Sequence, residues 1–559
     1  MKKKIIFCSL LLSLGTVMAQ EKKSNISGGF ENNSQWYLND KNLFDENLLP
    51  TQHPEQPFRS NSYLFVNYKI KNFTFGVQTE GYYDKALLNL NPKFEKANIA
   101  TYFAQYKNEK IEATLGYFYE QFGSGLLLRS WEDRALGINN ALRGARFVYK
   151  PTSYLTFKTL YGQQRTGFEV SEGKIYGFDT DFNVFEALKK ENSELSVGFT
   201  FVGRNEKTTL VNPNFTNLTY GIGGRFNYSR NSFYASGEYN FKSKDAVVQV
   251  KNQIDNNLIK SGSALLFNMG YSKKGFGIDG TFRRLENMGF YSERLANKNA
   301  YNDMLMNYVP SLTKQHHYNL ANIYVYQSQP GIILNDPSMV KAGEIGGQID
   351  LYYNFKKGTH FGGKYGTKLA VNFSQYHGLS GDYFIYNPQD FQTKFIGFGQ
   401  KYFSDINIEI TKKWNSKWQS VFSYINQYYN KKFITEQYGV INTNILAAEA
   451  IYKFGTNKSI RAQGEHLWAD ADKKNWASLL TEFNLSSKYT VYVTDMYNYG
   501  NDEPELRQHY FTVGNAYRLG STRVSLSYGR QRDGLVCVGG VCRYVPASSG
   551  FSFSINTSF

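Results

Sequence analysis

Much of what usually carries catalysis, or anchors a chain in a membrane, is scarce in this sequence. Only 3 Cys, 7 His and 12 Pro occur in 559 residues. A membrane-barrel hydrolase needs a nucleophile or paired acids with an oriented histidine near its rim, and no His here has that spacing. The chain is therefore expected to be no enzyme, and neither a cofactor nor a metal ion is expected. Beyond the N-terminal segment, no apolar run approaches the roughly 20 residues a membrane helix requires. Any membrane residence must then be as strands.

What the sequence has in quantity is aromatic. With 44 Tyr and 43 Phe the aromatic content reaches 17%, yet the mean hydropathy is −0.48. A soluble core hiding that many rings would look more apolar overall. A membrane barrel reconciles the two values, because only alternate residues meet lipid, the lumen stays polar, and Tyr and Phe gather in girdles at the interfaces. The formal charge is +16, or +13 with Lys2, Lys3 and Lys4 set aside. That excess fits an anionic lipid surface or an anion-favouring lumen, and it speaks to partners rather than to fold.

Those three lysines, the apolar residues 5–14 and the small-residue pattern Val17-Met18-Ala19 read as a secretory signal. The chain thus divides into a signal at 1–19, cleaved near Ala19, and an exported barrel at 20–559. Cys8 lies inside the apolar run and not at the cleavage point, so a lipoprotein is not expected. The remaining cysteines flank a Gly-Gly pair in Cys537-Val538-Gly539-Gly540-Val541-Cys542. A two-residue turn there sets Cys537 opposite Cys542, the register of a cross-strand disulfide in an oxidising compartment. The alternative, a zinc site, lacks further Cys or His nearby.

The last nine residues alternate at period two, with Phe551, Phe553, Ile555, Thr557 and Phe559 on one face and Ser552, Ser554, Asn556 and Ser558 on the other. They fit either the edge strand of a soluble sheet or the last strand of an outer-membrane barrel, where a terminal aromatic resembles the sorting signal read by the insertion machinery. The rest of the chain favours the barrel. Alternating segments of about 10 to 13 residues, the length of tilted spanning strands, recur as pairs such as 63–71 with 73–80, 99–106 with 111–119, and 511–517 with 524–528. Every second link is a short polar turn; the others are long, at 38–60, 84–96, 120–142, 287–343, 378–400 and 533–547. Short periplasmic turns and long extracellular loops are the mark of an all-β transmembrane antiparallel barrel. The count is about 24 strands, within 20 to 26, with both termini periplasmic; residues 317–326 are a candidate extra strand inside the longest loop. No N-terminal plug is expected, because alternation starts directly after the signal.

Three stretches, 116–146 (beginning Gly116-Tyr-Phe-Tyr-Glu-Gln-Phe-Gly-Ser-Gly), 341–348 (Lys-Ala-Gly-Glu-Ile-Gly-Gly-Gln) and 537–546, are similar to a family of outer-membrane proteins of Bacteroidetes-type bacteria defined as a domain of unknown function. The resemblance covers nearly the whole mature chain. It implies an outer-membrane barrel in a Gram-negative cell, and it brings no activity or catalytic residue with it.

The densest charge cluster sets Glu120, Glu132 and Asp133 against Arg129, Arg134, Arg143 and Arg146. By strand parity most of it belongs to the third external loop. Such groups can either face one another across a constriction, where a transverse field orients polar solutes, or pair to brace the loop on the wall. Gly123, Gly125, Gly137 and Gly144 fit both arrangements. His316 and His317 are strand neighbours that would point to opposite faces and could not chelate together. The stretch 361–368 has the composition of a phosphate loop with the wrong spacing. Nucleic acid is excluded as a partner by export.

Two functions follow. The first is a porin-like channel for small polar or anionic solutes with a charged constriction. The second is a non-conducting accessory barrel, its lumen filled by loops, that docks a surface lipoprotein or export machinery. Outer-membrane lipids, lipopolysaccharide and, during assembly, the barrel-insertion machinery are partners of either.

Overall fold

Strand alternation persists along almost the whole chain, and the resulting sheet closes on itself. A computed structural model describes residues 25–83, 85–87, 91–207, 216–248, 254–294, 304–333, 339–383 and 391–559. In it, 24 strands form one antiparallel sheet in which Ile26–Leu38 pairs with Phe58–Ile70 on one side and with Ser548–Ser558 on the other. The seam runs from Gly29 opposite Ser558 to Leu38 opposite Ser549. Phe559 completes it, its N–H and carbonyl each bonded to Gly28 at 2.9 Å. Closure leaves no unpaired edge, the condition for strands to stand in lipid. The signal segment lies outside the described residues.

The strand Gln392–Lys413 shows why these residues form such a wall. Ile406, Ile408 and Ile410 are exposed on the outer face, while the alternate residues Asp405 and Asn407 are buried on the inner one. The same rule holds at the C-terminus, where Phe551 and Phe553 are exposed outward. Tyr68, Phe73, Trp414, Trp418, Tyr489 and Tyr517 stand exposed near one end of the barrel, and Tyr161, Tyr176 and Trp468 near the other. On a soluble protein an apolar surface of this extent would drive aggregation. Here it is the lipid-facing belt with its aromatic girdles. No described helix is long and apolar enough to cross a membrane; the crossing is made by strands.

Eleven short connections occupy one end and twelve connections, most of them longer, occupy the other. Two expectations are corrected. The segment 378–400 is not one long loop: Thr367–Asp382 and Gln392–Lys413 project far beyond the belt, with irregular pairing near the top. Residues 317–326 are not a strand. They hold a single 3-10 turn, Leu320–Asn322, because buried side chains on all sides replace the two-faced pattern a strand needs.

Candidate functional site

The lumen is occupied on its external side by loops that fold inward, and these loops build the site. In the third loop (residues 119–141) the tip side chains Phe122, Leu126, Leu127 and Leu128 are at most 2% exposed. They pack on Leu160, Ile175 and Val202 of the wall and on Met288, Phe290 and Met306 of the seventh loop (residues 287–342). Backbone bonds stitch the two loops together: Arg129 N–H to the Met306 carbonyl at 2.8 Å and Tyr308 N–H to Gly125 at 2.9 Å. The Asn307 side-chain amide donates to the carbonyls of Met288 and Leu126 at 2.6 and 3.2 Å. At roughly 1.5–3 kcal/mol per fully buried Leu or Phe, withdrawing the four tip residues costs on the order of 6–12 kcal/mol. The loop is a fixed part of the interior. Gly123, with φ of 52°, sits where a Cβ would stand 2.7 Å from the Glu238 carboxylate, which accepts the Ser124 N–H at 2.8 Å.

The seven charged residues of the expected constriction separate into distinct roles. Glu120 pairs with Arg146, which also reaches Glu112, and Lys158 approaches Glu120 at 3.5 Å. Glu132 holds Arg134 at 3.2 Å, and Arg134 extends to Glu31 at 2.9 Å with its guanidinium over the Tyr63 ring. Behind them lies a fully buried pair, Arg165 and Glu80 at 2.5 Å. Asp133 accepts the Leu136 N–H at 3.0 Å within its own turn. Arg129 lies over the Tyr308 ring at 3.8 Å. Arg143 is exposed on the outer face of Leu142–Thr152, in register with Tyr117. The structure thus brings Glu120 to Arg146 and Glu132 to Arg134, and sets Asp133, Arg129 and Arg143 apart.

The seventh loop continues across the lumen. Glu344, at the top of the wall strand Gly343–Phe355, anchors it by accepting from Arg283 at 2.5 Å, the Tyr326 hydroxyl at 2.6 Å and the Gln329 N–H at 2.7 Å. Deeper, Glu465 accepts the N–H groups of Asn319 and Leu320 at 3.0 and 2.8 Å, His316 meets Asp405 at 2.9 Å, and the Tyr318 hydroxyl reaches Glu409 at 3.3 Å. His317 instead lies tilted against the Tyr318 ring, with centroids 4.1 Å apart. Around this descent the wall turns apolar: Ile425, Ile445, Leu467 and Trp476 pack on Tyr318, Leu320 and Ala321. Near the rim, Lys341 donates to Gln329 at 2.8 Å and to the Phe433 carbonyl at 2.9 Å; its burial pushes the ammonium down to about 8. Asp472 accepts Lys431 at 2.6 Å and the Tyr324 hydroxyl at 3.1 Å. Burial raises its carboxyl, but the Lys431 ammonium outweighs that and holds it below its ordinary value.

A third piece is the hairpin of the twelfth loop, Gly534–Val538 with Val541–Val545, in the expected register and closed by the Cys537–Cys542 disulfide. Gly539 and Gly540 have φ of 58° and 80°, the left-handed pair of a tight turn. Its tip grips the seventh loop: Tyr308 donates to Gly539 at 2.8 Å and Ser311 N–H to Gly540 at 3.0 Å. Two cavities adjoin there. One, of about 290 Å³, runs along the wall past Thr494, Thr512, Ser527 and Ser552. The other, of about 270 Å³, extends past Lys314, His316 and Asp405. Asn319, Met496, Arg532, Leu535 and Val536 line both. The charged residues of the first are Arg530 and Arg532; Arg530 holds Asp40 at 2.7 Å, and Arg532 donates to the Asn322 carbonyl at 2.6 Å. Among the described residues no group of three or more His, Cys, Asp or Glu could hold a metal ion.

Reasoning from the sequence missed the wall anchors Glu344, Glu465 and Asp405 and the cavity arginines. Their signal is visible as charge on the inward alternate of a strand, as in Asp405-Ile-Asn407-Ile-Glu409, but alternation names the face and not the loop that covers it.

The chain as a whole matches one protein family, described as a family of unknown function (DUF6029), over residues 1–559. No curated protein matches it in sequence. Among solved structures, the translocation pore of the P pilus usher PapC is similar at a TM-score of 0.44 and 7% identity, covering 96% of this chain and 99% of that one. The siderophore receptor PirA from Pseudomonas aeruginosa gives 0.42 and 7%, covering 97% and 81%. OpdQ, also from Pseudomonas aeruginosa, gives 0.31 and 10%, covering 80% and 93%. Likenesses of that size transfer neither substrate nor mechanism.

Proposed function

Since the chain belongs to the DUF6029 family, whose description assigns no activity, we propose from its geometry that this outer-membrane barrel is a narrow channel for small polar or anionic solutes, partly closed by its own loops. The observation that carries this reading is the pair of adjoining cavities between the seventh loop, the twelfth-loop hairpin and the C-terminal wall, where hydroxyl and amide groups alternate with apolar side chains such as Met496, Leu535 and Val536. Arg532 gives the first a cationic bias, while the neighbouring Arg530 is paired with Asp40. Selectivity is assigned to Arg532, whose guanidinium donates to the main-chain carbonyls of Asn322 and Asp533, and not to the third loop, where Arg146 engages Glu120 and Arg134 engages Glu132.

A second reading, a non-conducting barrel that docks a surface lipoprotein or export machinery, draws support from the apolar core shared by the third and seventh loops. Liposome swelling with solutes graded in size and charge separates the two. The channel predicts slow uptake limited to small solutes, with anions ahead of cations of equal size, and loss of that preference in R532Q. Rapid uptake irrespective of size, or none at all by a correctly folded barrel, contradicts it.

A further inference from the structure

The positive charge of this protein is concentrated at one end. The eleven short turns with their flanking strand ends (69–74, 107–111, 150–154, 183–194, 229–233, 272–276, 354–368, 412–418, 453–459, 485–489 and 518–523) carry 22 Lys and Arg against 4 Glu and no Asp. That excess of 18 is larger than the +16 of the entire chain, so the remaining 41 basic and 43 acidic residues nearly cancel. Every turn contributes at least one cation, and all but Lys412 are exposed. Among the described residues, Lys107 alone of these cations has a carboxylate partner, Glu112 at 2.9 Å. A set of like charges left unpaired around a whole rim opposes folding through self-repulsion. A counter-charge outside the chain removes that cost.

We infer that the short-turn rim is a binding surface for anionic phospholipid headgroups of the periplasmic leaflet. Distribution decides among polyanions: a globular acidic partner would need one dense patch, whereas a ring present at all eleven turns matches a ligand that surrounds the barrel. Depth agrees. Exposed Phe73, Trp414, Trp418, Tyr489 and Tyr517 lie within or beside the same turns, and Lys412 and Lys273 each stand 5.9 Å over a neighbouring ring, Trp414 and Phe276. Such aromatics sit at the headgroup level, so the ammonium groups are at phosphate height, where each Lys or Arg near an anionic surface favours it by on the order of fivefold in local concentration.

Trp414 and Trp418 make the rim its own reporter. Full-length protein carrying W36F/W468F, which removes the exposed tryptophans of the opposite rim, is reconstituted in phosphatidylcholine vesicles holding either brominated phosphatidylglycerol or brominated phosphatidylcholine at equal mole fraction. Quenching several-fold stronger with the anionic lipid at low salt is expected. It should fall to the phosphatidylcholine level in 1 M salt and in K412Q/K413Q/K417Q, whose fold is verified by heat-modifiable gel migration. A protein keeping Trp36 and Trp468 with W414F/W418F should show no such preference. Equal quenching by both lipids, or an equal preference at the opposite rim, overturns the inference. So does salt-dependent co-sedimentation with purified peptidoglycan in a protein that shows no lipid preference.

Discussion

Glu80 and Arg165 are each 1% exposed and face one another at 2.5 Å behind the third loop. Replacing Glu80 by Gln leaves a buried guanidinium without its counter-charge, a change that typically costs about 3–5 kcal/mol. E80Q should lower the temperature at which the barrel loses its compact gel migration, while R143Q, on the exposed outer face, should leave it unchanged. Asp472 gives a pH signature. Its carboxyl titrates below the ordinary 3.8 because of Lys431, so the tether it makes to Lys431 and Tyr324 is fully present above about pH 4 and is lost as pH falls through the lowered value. Hydrogen exchange of residues 318–326 should quicken on acidification below pH 4 in the native protein and show no such step in D472N. The residue scale is also where the sequence was least legible. Glu120, Glu132, Arg134 and Arg146 stood out by density, yet density cannot tell contact from opposition across a gap. Glu344 and Glu465, which anchor the seventh loop, look like any inward polar residue.

Among the elements, the twelfth-loop hairpin was readable from Cys537-Val-Gly-Gly-Val-Cys542 alone, since the turn type, the register and the disulfide are all local consequences of the Gly-Gly pair. Its contact with the seventh loop was not. A Cβ on Gly540 would lie 2.6 Å from the Ser311 carbonyl, and the residue also needs its positive φ. G540A should therefore release the hairpin tip, seen as faster exchange of residues 534–545 and 308–312 with no change in barrel stability. Residues 317–326 mislead for the opposite reason. Tyr-Asn-Leu-Ala-Asn-Ile-Tyr-Val-Tyr alternates well enough for a strand, but Tyr318, Leu320, Ala321, Tyr324 and Tyr326 are buried together because the lumen offers the segment wall contacts on more than one side. Period-two patterning locates strands when one face is wet, and it fails for a loop enclosed by other elements.

For the whole molecule, the barrel, its even strand number and its outward apolar face were legible because each strand repeats the same two-sided compromise between lipid and lumen. The interior was not, because it depends on contacts between residues more than 100 positions apart, such as Asn307 with Leu126 and Arg532 with Asn322. In the proposed channel the seventh loop sets the passage. Single-channel conductance of the refolded native barrel in planar bilayers, measured beside a variant with residues 310–330 replaced by a short Gly/Ser linker, reads out that role. Small, steady, anion-preferring steps are expected for the native protein and several-fold larger ones with weak preference for the variant. Equal conductance in the two would show that the loop does not restrict the lumen, and would contradict it.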